Sequence, residues 1–222
     1  KSLLDKFSQI ASIEIISAFS SVNEEIDYIN SLVQKDEILV IDGYDFNLEY
    51  QKKVKINDNK LICIEDELRT DTMADIIINY SYNKQFESES KDKPKYLLGF
   101  KYVILRQAFY ELPYSRLLAS KLDTVFLCLG GGDSNNLTFR TLKILFATET
   151  FKKIIIVTGS AFPYTNEIEN LVQSTNSCCL EHYNNIETEQ LINLLKLSDL
   201  AIVPSSTIAL EACCTLTPII TG

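Results

Sequence analysis

Three short stretches combine residue types that chemistry requires at spacings a fold can use. The first, 130-GGGDSNN-136, gathers three of the seven glycines of the chain between an apolar run and an amphipathic one. Glycine lets a backbone turn sharply and approach a ligand closely. A helix starting just behind it offers unpaired N–H groups and about half a positive charge. The loop therefore suits a diphosphate. The pattern is neither G-x-G-x-x-G nor G-K-[ST], so the dinucleotide and P-loop fingerprints do not apply; the plain alternative is a tight strand–helix turn. The second stretch, 205-SSTIALEA-212, places Ser205, Ser206 and Thr207 ahead of a helix, where their hydroxyls can cap it or bind phosphate oxygens. Glu211 follows Thr207 by four residues, on nearly the same helix face, where a carboxylate can accept both hydroxyls of a ribose. Its alternative is a capped helix carrying a solvated Glu. The third, 41-IDGY-44, ends an apolar strand. Asp42 and Tyr44 fall on one side of it, at the edge where open α/β sheets bind ligands, or else Asp42 caps the next helix.

These residues need a scaffold, and apolar periodicity supplies it. Continuous apolar runs at 37–44, 60–66, 74–80, 124–130, 153–159, 178–183, 200–205 and 218–221 read as buried strands. Helical spacing predicts helices over 23–33, behind an Asn23 cap, and over 46–57, 136–147, 165–175, 187–198 and 207–216. The run 96–105 reads as extended, 83–95 as a polar loop, and 113–121 as a passage between domains, with Leu117 and Leu118 open to a short helix. Strands alternating with amphipathic helices predict parallel sheets covered on both faces. The expected fold is α/β, with two doubly wound, Rossmann-like domains at 1–116 and 117–222.

Composition narrows the function. With 46% apolar and 23% charged residues the chain is an ordinary globular one, and disorder or fibrous structure is excluded. The net charge is −9 and both halves are acidic, which argues against nucleic-acid partners. No apolar run reaches the roughly 18–20 residues that span a bilayer, and KSLLDKF at the start has no signal-peptide core. Six cysteines without C-x-x-C spacing read as reduced, mostly buried thiols of a cytoplasmic protein. A single histidine, His182, makes a His-based zinc site improbable and reads as structural. The chain starts at Lys1 and its one Met is Met73, so it reads as a trimmed piece.

The order of these segments resembles the UDP-2,4-diacetamido-2,4,6-trideoxy-β-L-altropyranose hydrolase family of pseudaminic acid biosynthesis. More broadly it resembles GT-B glycosyltransferases of the lipid II-forming type. The matching pieces are LVIDGYDF at 39–46, ADIIINY at 74–80, LLGFKYVILRQAF at 97–109, VFLCLGGGDSNNLT at 125–138 and LINLLKLSDLAIVPSSTIALEA at 191–212. The glycine loop and the Ser/Thr-to-Glu segment are shared with many GT-B enzymes; LLG-x-x-Y-x-x-LR-x-x-F is the more specific marker. The resemblance implies two domains facing a cleft, with Gly131, Gly132 and Asp133 in a diphosphate loop. It places Ser205, Ser206 and Thr207 by the nucleotide, Glu211 on the ribose, and Tyr44 with Asp42 as active-site groups. The implied reaction hydrolyses the sugar–phosphate bond of a UDP-sugar, with water as acceptor, UDP as leaving group and no metal or cofactor. The family's G-x-G-H-x-x-R loop, whose His is the proposed base, has no counterpart in these 222 residues. The resemblance thus implies that the first domain lacks its opening strand and that the chain stops before the family's terminal helices. General-base catalysis contributes ~10²–10⁴-fold, so a chain without that His would bind substrate and turn over little. A GT-B glycosyltransferase with a non-water acceptor, and a UDP-sugar binder without catalysis, are the alternatives.

Overall fold

A computed structural model describes residues 8, 10–56, 58–66, 71–81, 94–113, 115–117, 120–175 and 178–222. The chain divides into two units, Lys1–Ile104 and Leu105–Gly222. Among the described residues it is an α/β protein of six α-helices and nine strands, all paired in parallel.

The first unit carries a four-stranded sheet in the order β1-β2-β3-β4, formed by Ile38–Asp42, Lys60–Ile64, Ile76–Asn79 and Lys95–Leu98. Two helices precede and follow β1: α1 at Val22–Leu32 and α2 at Leu48–Val54. Ser21, rather than Asn23, caps α1, because its hydroxyl accepts from the Glu24 amide at 3.2 Å. One face of the sheet is closed by Ile41, Leu61, Cys63 and Ile77, with Phe46 packed against them. Tyr50 and Val54 of α2 join Ile26 of α1 in an adjoining core. The other face holds Val40, which is exposed, and Ile62, Ile64, Ile76 and Ile78, which are half-buried. Among the described residues the expected two-sided cover is thus incomplete here. Right-handed crossovers that advance steadily in one direction lay their connections on one face. The run 96–105, expected to be extended, is a strand only to Leu98. Gly99, at φ +85°, turns it into 3-10 turns at Phe100–Tyr102 and Gln107–Phe109. The polar loop and the possible helix at Leu118 fall largely outside the described residues.

The second unit is covered on both sides. Its strands β5 (Thr124–Leu127), β6 (Lys153–Thr158), β7 (Cys179–Asn184), β8 (Leu200–Val203) and β9 (Ile219–Thr221) lie in the order β7-β6-β5-β8-β9. The helices are α3 (Leu137–Thr148), α4 (Thr165–Ser174), α5 (Thr188–Leu197) and α6 (Thr207–Cys214). Alternation along the strands splits the core in two. Phe126, Ile155 and Val157 face Leu191, Leu195 and Ala212, whereas Val125, Leu127, Ile154 and Ile156 face Leu142, Leu145 and Ile168. Burying full aliphatic side chains on both faces makes this layer costly to perturb: truncating Ile155 to Ala removes about 2–5 kcal/mol. Arg116 fastens the segment before β5 to this unit, donating to Thr217 Oγ1 at 2.6 Å and to the carbonyls of Leu195 and Ser198.

Candidate functional site

The strand order of the second unit determines where a ligand can bind. The chain winds from β5 outward to β6 and β7, then returns to the other side of β5 for β8 and β9. The crevice beyond the carboxyl ends of β5 and β8 is therefore a topological switch point, where open α/β sheets take ligands. Leu127 pairs with Ile202, and the Cys128 amide donates to the Ile202 carbonyl at 3.1 Å. The two strands thus deliver Gly130–Asp133 and Pro204–Thr207 side by side.

Each corner has its own construction. Gly130, at φ +102°, makes the turn after β5. Gly131 lies against Gly159 so closely that a Cβ on Gly159 would sit 2.6 Å from the Gly131 Cα. A Cβ on Gly131 would meet nothing within 4 Å, so that side of its backbone is open. Asp133 does not present a free carboxylate. It accepts from the Leu137 and Thr138 amides, both at 2.8 Å, while Asn136 accepts from Phe139 at 3.4 Å. The start of α3, expected to offer unpaired N–H groups, is thus already capped by the protein's own side chains.

The second corner differs. Ser205 pairs its hydroxyl with Thr221 at 2.8 Å, and Ser206, the residue before α6, makes no side-chain cap. The first-turn amides of Thr207 and Ile208 therefore have no acceptor from that cap. Glu211, one turn along, is not a solvated surface residue: it is 3% exposed. Both its oxygens are held by Arg106, whose Nε donates to Oε1 at 2.8 Å and Nη2 to Oε2 at 2.5 Å. Cys128 follows β5 directly and packs against the core that holds Ala209 and Ala212 of α6. Burial raises its thiol pKa, and a hydrogen bond from the Gly130 backbone partly offsets this.

In the first unit Asp42 and Tyr44 line a cleft of about 200 Å³ together with Gly43, Ile64, Glu65, Asp66 and Tyr80. It opens at the carboxyl ends of β1, β2 and β3. Tyr44 is exposed and donates to Asp66 Oδ2 at 2.8 Å. That hydrogen bond, followed by the Asp66 charge, holds the Tyr44 phenol above its ordinary pKa. At neutral pH the phenol is therefore a donor and not a base. Asn47, not Asp42, caps α2, accepting from the Tyr50 amide at 3.0 Å.

Two relatives have amino-acid sequences close enough to compare with this architecture. One is an uncharacterized protein of Methanocaldococcus jannaschii, 27% identical over 187 residues, which cover 80% of this chain and 38% of that protein. The other is 27% identical over 196 residues, covering 86% of this chain and 67% of the relative: the UDP-2,4-diacetamido-2,4,6-trideoxy-beta-L-altropyranose hydrolase of Campylobacter jejuni. The chain is similar to a UDP-sugar hydrolase. It spans little more than a third of the length of the first relative and about two thirds of the second. No family model matches the chain.

Several site residues had no role assigned from sequence. Arg106 lies inside the marker stretch 97–109, but nothing in its spacing points to Glu211, 105 residues away. Asp66 could have been found: β1 and β2 pair Asp42 with Ile64, so residues just past Ile64 emerge at the same sheet edge. His182 is held at 2.8 Å from the Thr158 hydroxyl between β6 and β7, and burial lowers its pKa, as a structural His would show. Of the six cysteines Cys63 is buried, Cys128, Cys178 and Cys214 are half-buried, and Cys179 and Cys213 are exposed, so the expectation of mostly buried thiols does not hold. Among the described residues, no group of three or more His, Cys, Asp or Glu is placed to hold a metal ion, and no helix is long and apolar enough to cross a membrane.

Proposed function

We propose that the chain binds a UDP-linked amino sugar and belongs to an enzyme that hydrolyses its sugar–phosphate bond in surface-polysaccharide or nonulosonic acid biosynthesis. The observation that carries this reading is the convergence, at one switch point, of an open glycine main chain, an uncapped helix start and a buried carboxylate. The similarity to the Campylobacter jejuni hydrolase supports it. In this reading Gly131 and Gly132 let the diphosphate approach the main chain, and Asp133 shapes the loop by capping α3. Ser205, Ser206 and Thr207 lie by the phosphates, and Glu211 accepts from a ribose hydroxyl. Main-chain donors fixed in advance stabilise the charge that grows on the leaving diphosphate. Asp42 and Tyr44, joined by Asp66, are the groups of the first unit assigned to the sugar and the attacking water. The two units are of the kind found in GT-B proteins.

Calorimetric titration with UDP, followed by assay of UDP release from a UDP-linked diacetamido sugar, tests the reading. Saturable UDP binding at one site is expected. Absence of binding by the folded protein would overturn the assignment. Binding without release of UDP, even with a G-x-G-H-x-x-R loop supplied upstream, would instead favour the nucleotide-sugar binder.

A further inference from the structure

The stretch that marks the resemblance most specifically, LLG-x-x-Y-x-x-LR-x-x-F, enters the site through one residue, Arg106. Its second part, Leu105–Tyr110, lies in the second unit, and its geometry is particular. Arg106 precedes a 3-10 turn closed by the Phe109 amide donating to the Arg106 carbonyl at 3.0 Å. The Leu105 amide donates to the Tyr110 hydroxyl at 2.9 Å, holding the backbone on the other side. Phe109 is 2% exposed and sits in the same core as Ala209 and Ala212 of α6. The Arg106 guanidinium lies 5.3 Å above the Phe109 ring. Backbone and ring thus fix the guanidinium on both sides, and it meets Glu211 edge-on through Nε and Nη2.

A cation is required there, because an ionised carboxylate as buried as Glu211 is costly without one. The form of the pair carries more information. A carboxylate offers about four lone-pair positions, and a guanidinium fork consumes one on each oxygen. One acceptor position on each oxygen remains, and the fork fixes the plane in which both lie. These outer positions diverge from each other, so each oxygen keeps a single acceptor of fixed direction, and a ribose hydroxyl can be met at one of them. Arg106 itself is 42% exposed, and its Nη1 makes no hydrogen bond among the described residues, so the pair is open at one end and not sealed into the core.

We propose that Arg106 is the positioning residue of the nucleotide site, clamping Glu211 in the one orientation that turns a remaining acceptor position toward a hydroxyl of the ribose. This rests on the reading that the site takes a uridine nucleotide. Lysine cannot reproduce the device, since an ammonium is a point charge without the planar fork.

The experiment titrates the wild-type chain, Arg106→Gln and Arg106→Lys with UDP and with 2′,3′-dideoxy-UDP, checking the fold of each by thermal unfolding. The wild type is expected to prefer UDP by at least about tenfold, the scale of a hydrogen bond to a charged acceptor. In both variants that preference is expected to fall toward unity, while affinity for dideoxy-UDP stays within about threefold of wild type. A clamp that served folding alone would lower stability and leave the preference intact. A full preference in either folded variant therefore overturns the proposal. Should Arg106→Gln not fold, Arg106→Lys decides. Wild-type protein that binds both ligands equally overturns the proposal while leaving the nucleotide reading standing; wild-type protein that binds neither overturns both.

Discussion

Gly159→Ala tests the contact on which the glycine corner depends. A Cβ at this position would lie 2.6 Å from the Gly131 Cα and 2.7 Å from its carbonyl oxygen. Non-bonded carbon contacts settle at about 3.5–4.0 Å, so the two backbones must part by about 1 Å. Gly159 cannot easily be the one to move. Its carbonyl accepts from Asn184 Nδ2 and from the Phe162 amide, both at 3.1 Å, and Thr158 just before it is tied to His182. The displacement therefore falls on Gly131. No left-handed φ is required at Gly159, so the cost is the contact alone, about 1–3 kcal/mol for overpacking of this kind. The thermal transition of the second unit should drop by about 5–10 °C. UDP affinity should fall at least about tenfold, because a main-chain donor moved by that much loses its hydrogen bond to a charged oxygen. Gly132→Ala is the control: its Cβ would meet only the Ala161 carbonyl at 4.0 Å, and its stability should stay within about 0.5 kcal/mol of wild type. Calorimetry supplies both readouts. An unchanged melting temperature in Gly159→Ala would refute the packing argument. A lowered melting temperature with undiminished UDP affinity would refute the role of the glycine corner in binding.

Three further outcomes follow from individual side chains. Asp133→Ala removes both carboxylate contacts from the start of α3 and should cost about 1–2 kcal/mol by denaturant unfolding; since the carboxylate serves the helix, UDP affinity should not fall. Asp66→Asn removes the carboxylate that holds the Tyr44 phenol above its ordinary pKa, so that phenol should titrate at lower pH than in the wild type, measured by ultraviolet difference absorbance. His182 has a folded pKa below its unfolded one, so the unfolded chain binds the extra proton. Its contribution to stability is therefore complete above about pH 7 and is lost as pH falls through the unfolded value near 6.5 toward the folded one. Melting curves of wild type and His182→Gln between pH 8 and 5 should show the wild type declining more steeply, a comparison that cancels the carboxylates common to both.

Much of the fold was legible because parallel sheets leave a strong trace. The runs 153-KIIIVTG-159 and 124-TVFLCLG-130 became β6 and β5, and the amphipathic stretches between strands became α3 to α6 within one or two residues. The corners were legible for the same reason: a strand ending in glycine or serine before a helix can occur at few other places. What each corner does with its polar groups was not legible. Asp133 stands where a phosphate-binding residue or a helix cap would both be acceptable, and only the position of the Leu137 and Thr138 amides separates the two. Glu211 seemed either solvated or ligand-facing. Its pairing with Arg106 spans 105 residues and depends on how Leu105–Tyr110 packs against α6, which no periodicity encodes.

The two corners differ in how an acidic chain can attract an anion. At least half of the eight side-chain cations of the second unit are engaged by protein groups: Lys152 by Asp123, Lys153 by Glu181, Arg116 by carbonyls, and Arg106 by Glu211. In the proposed reading the backbone supplies the attraction for a diphosphate. At the start of α3 those dipoles are already answered by Asp133 and Asn136, so this corner contributes shape and close approach. At the start of α6 Ser206 provides no cap, and the N–H groups there keep their partial positive charge for a ligand. A site built this way draws its strength from short-range donors, not from a field spread over the surface, and salt screens such contacts far less than it screens exposed charges. In the proposed reading, short-range donors of this kind let a chain of net charge −9 hold an anionic nucleotide without a basic patch.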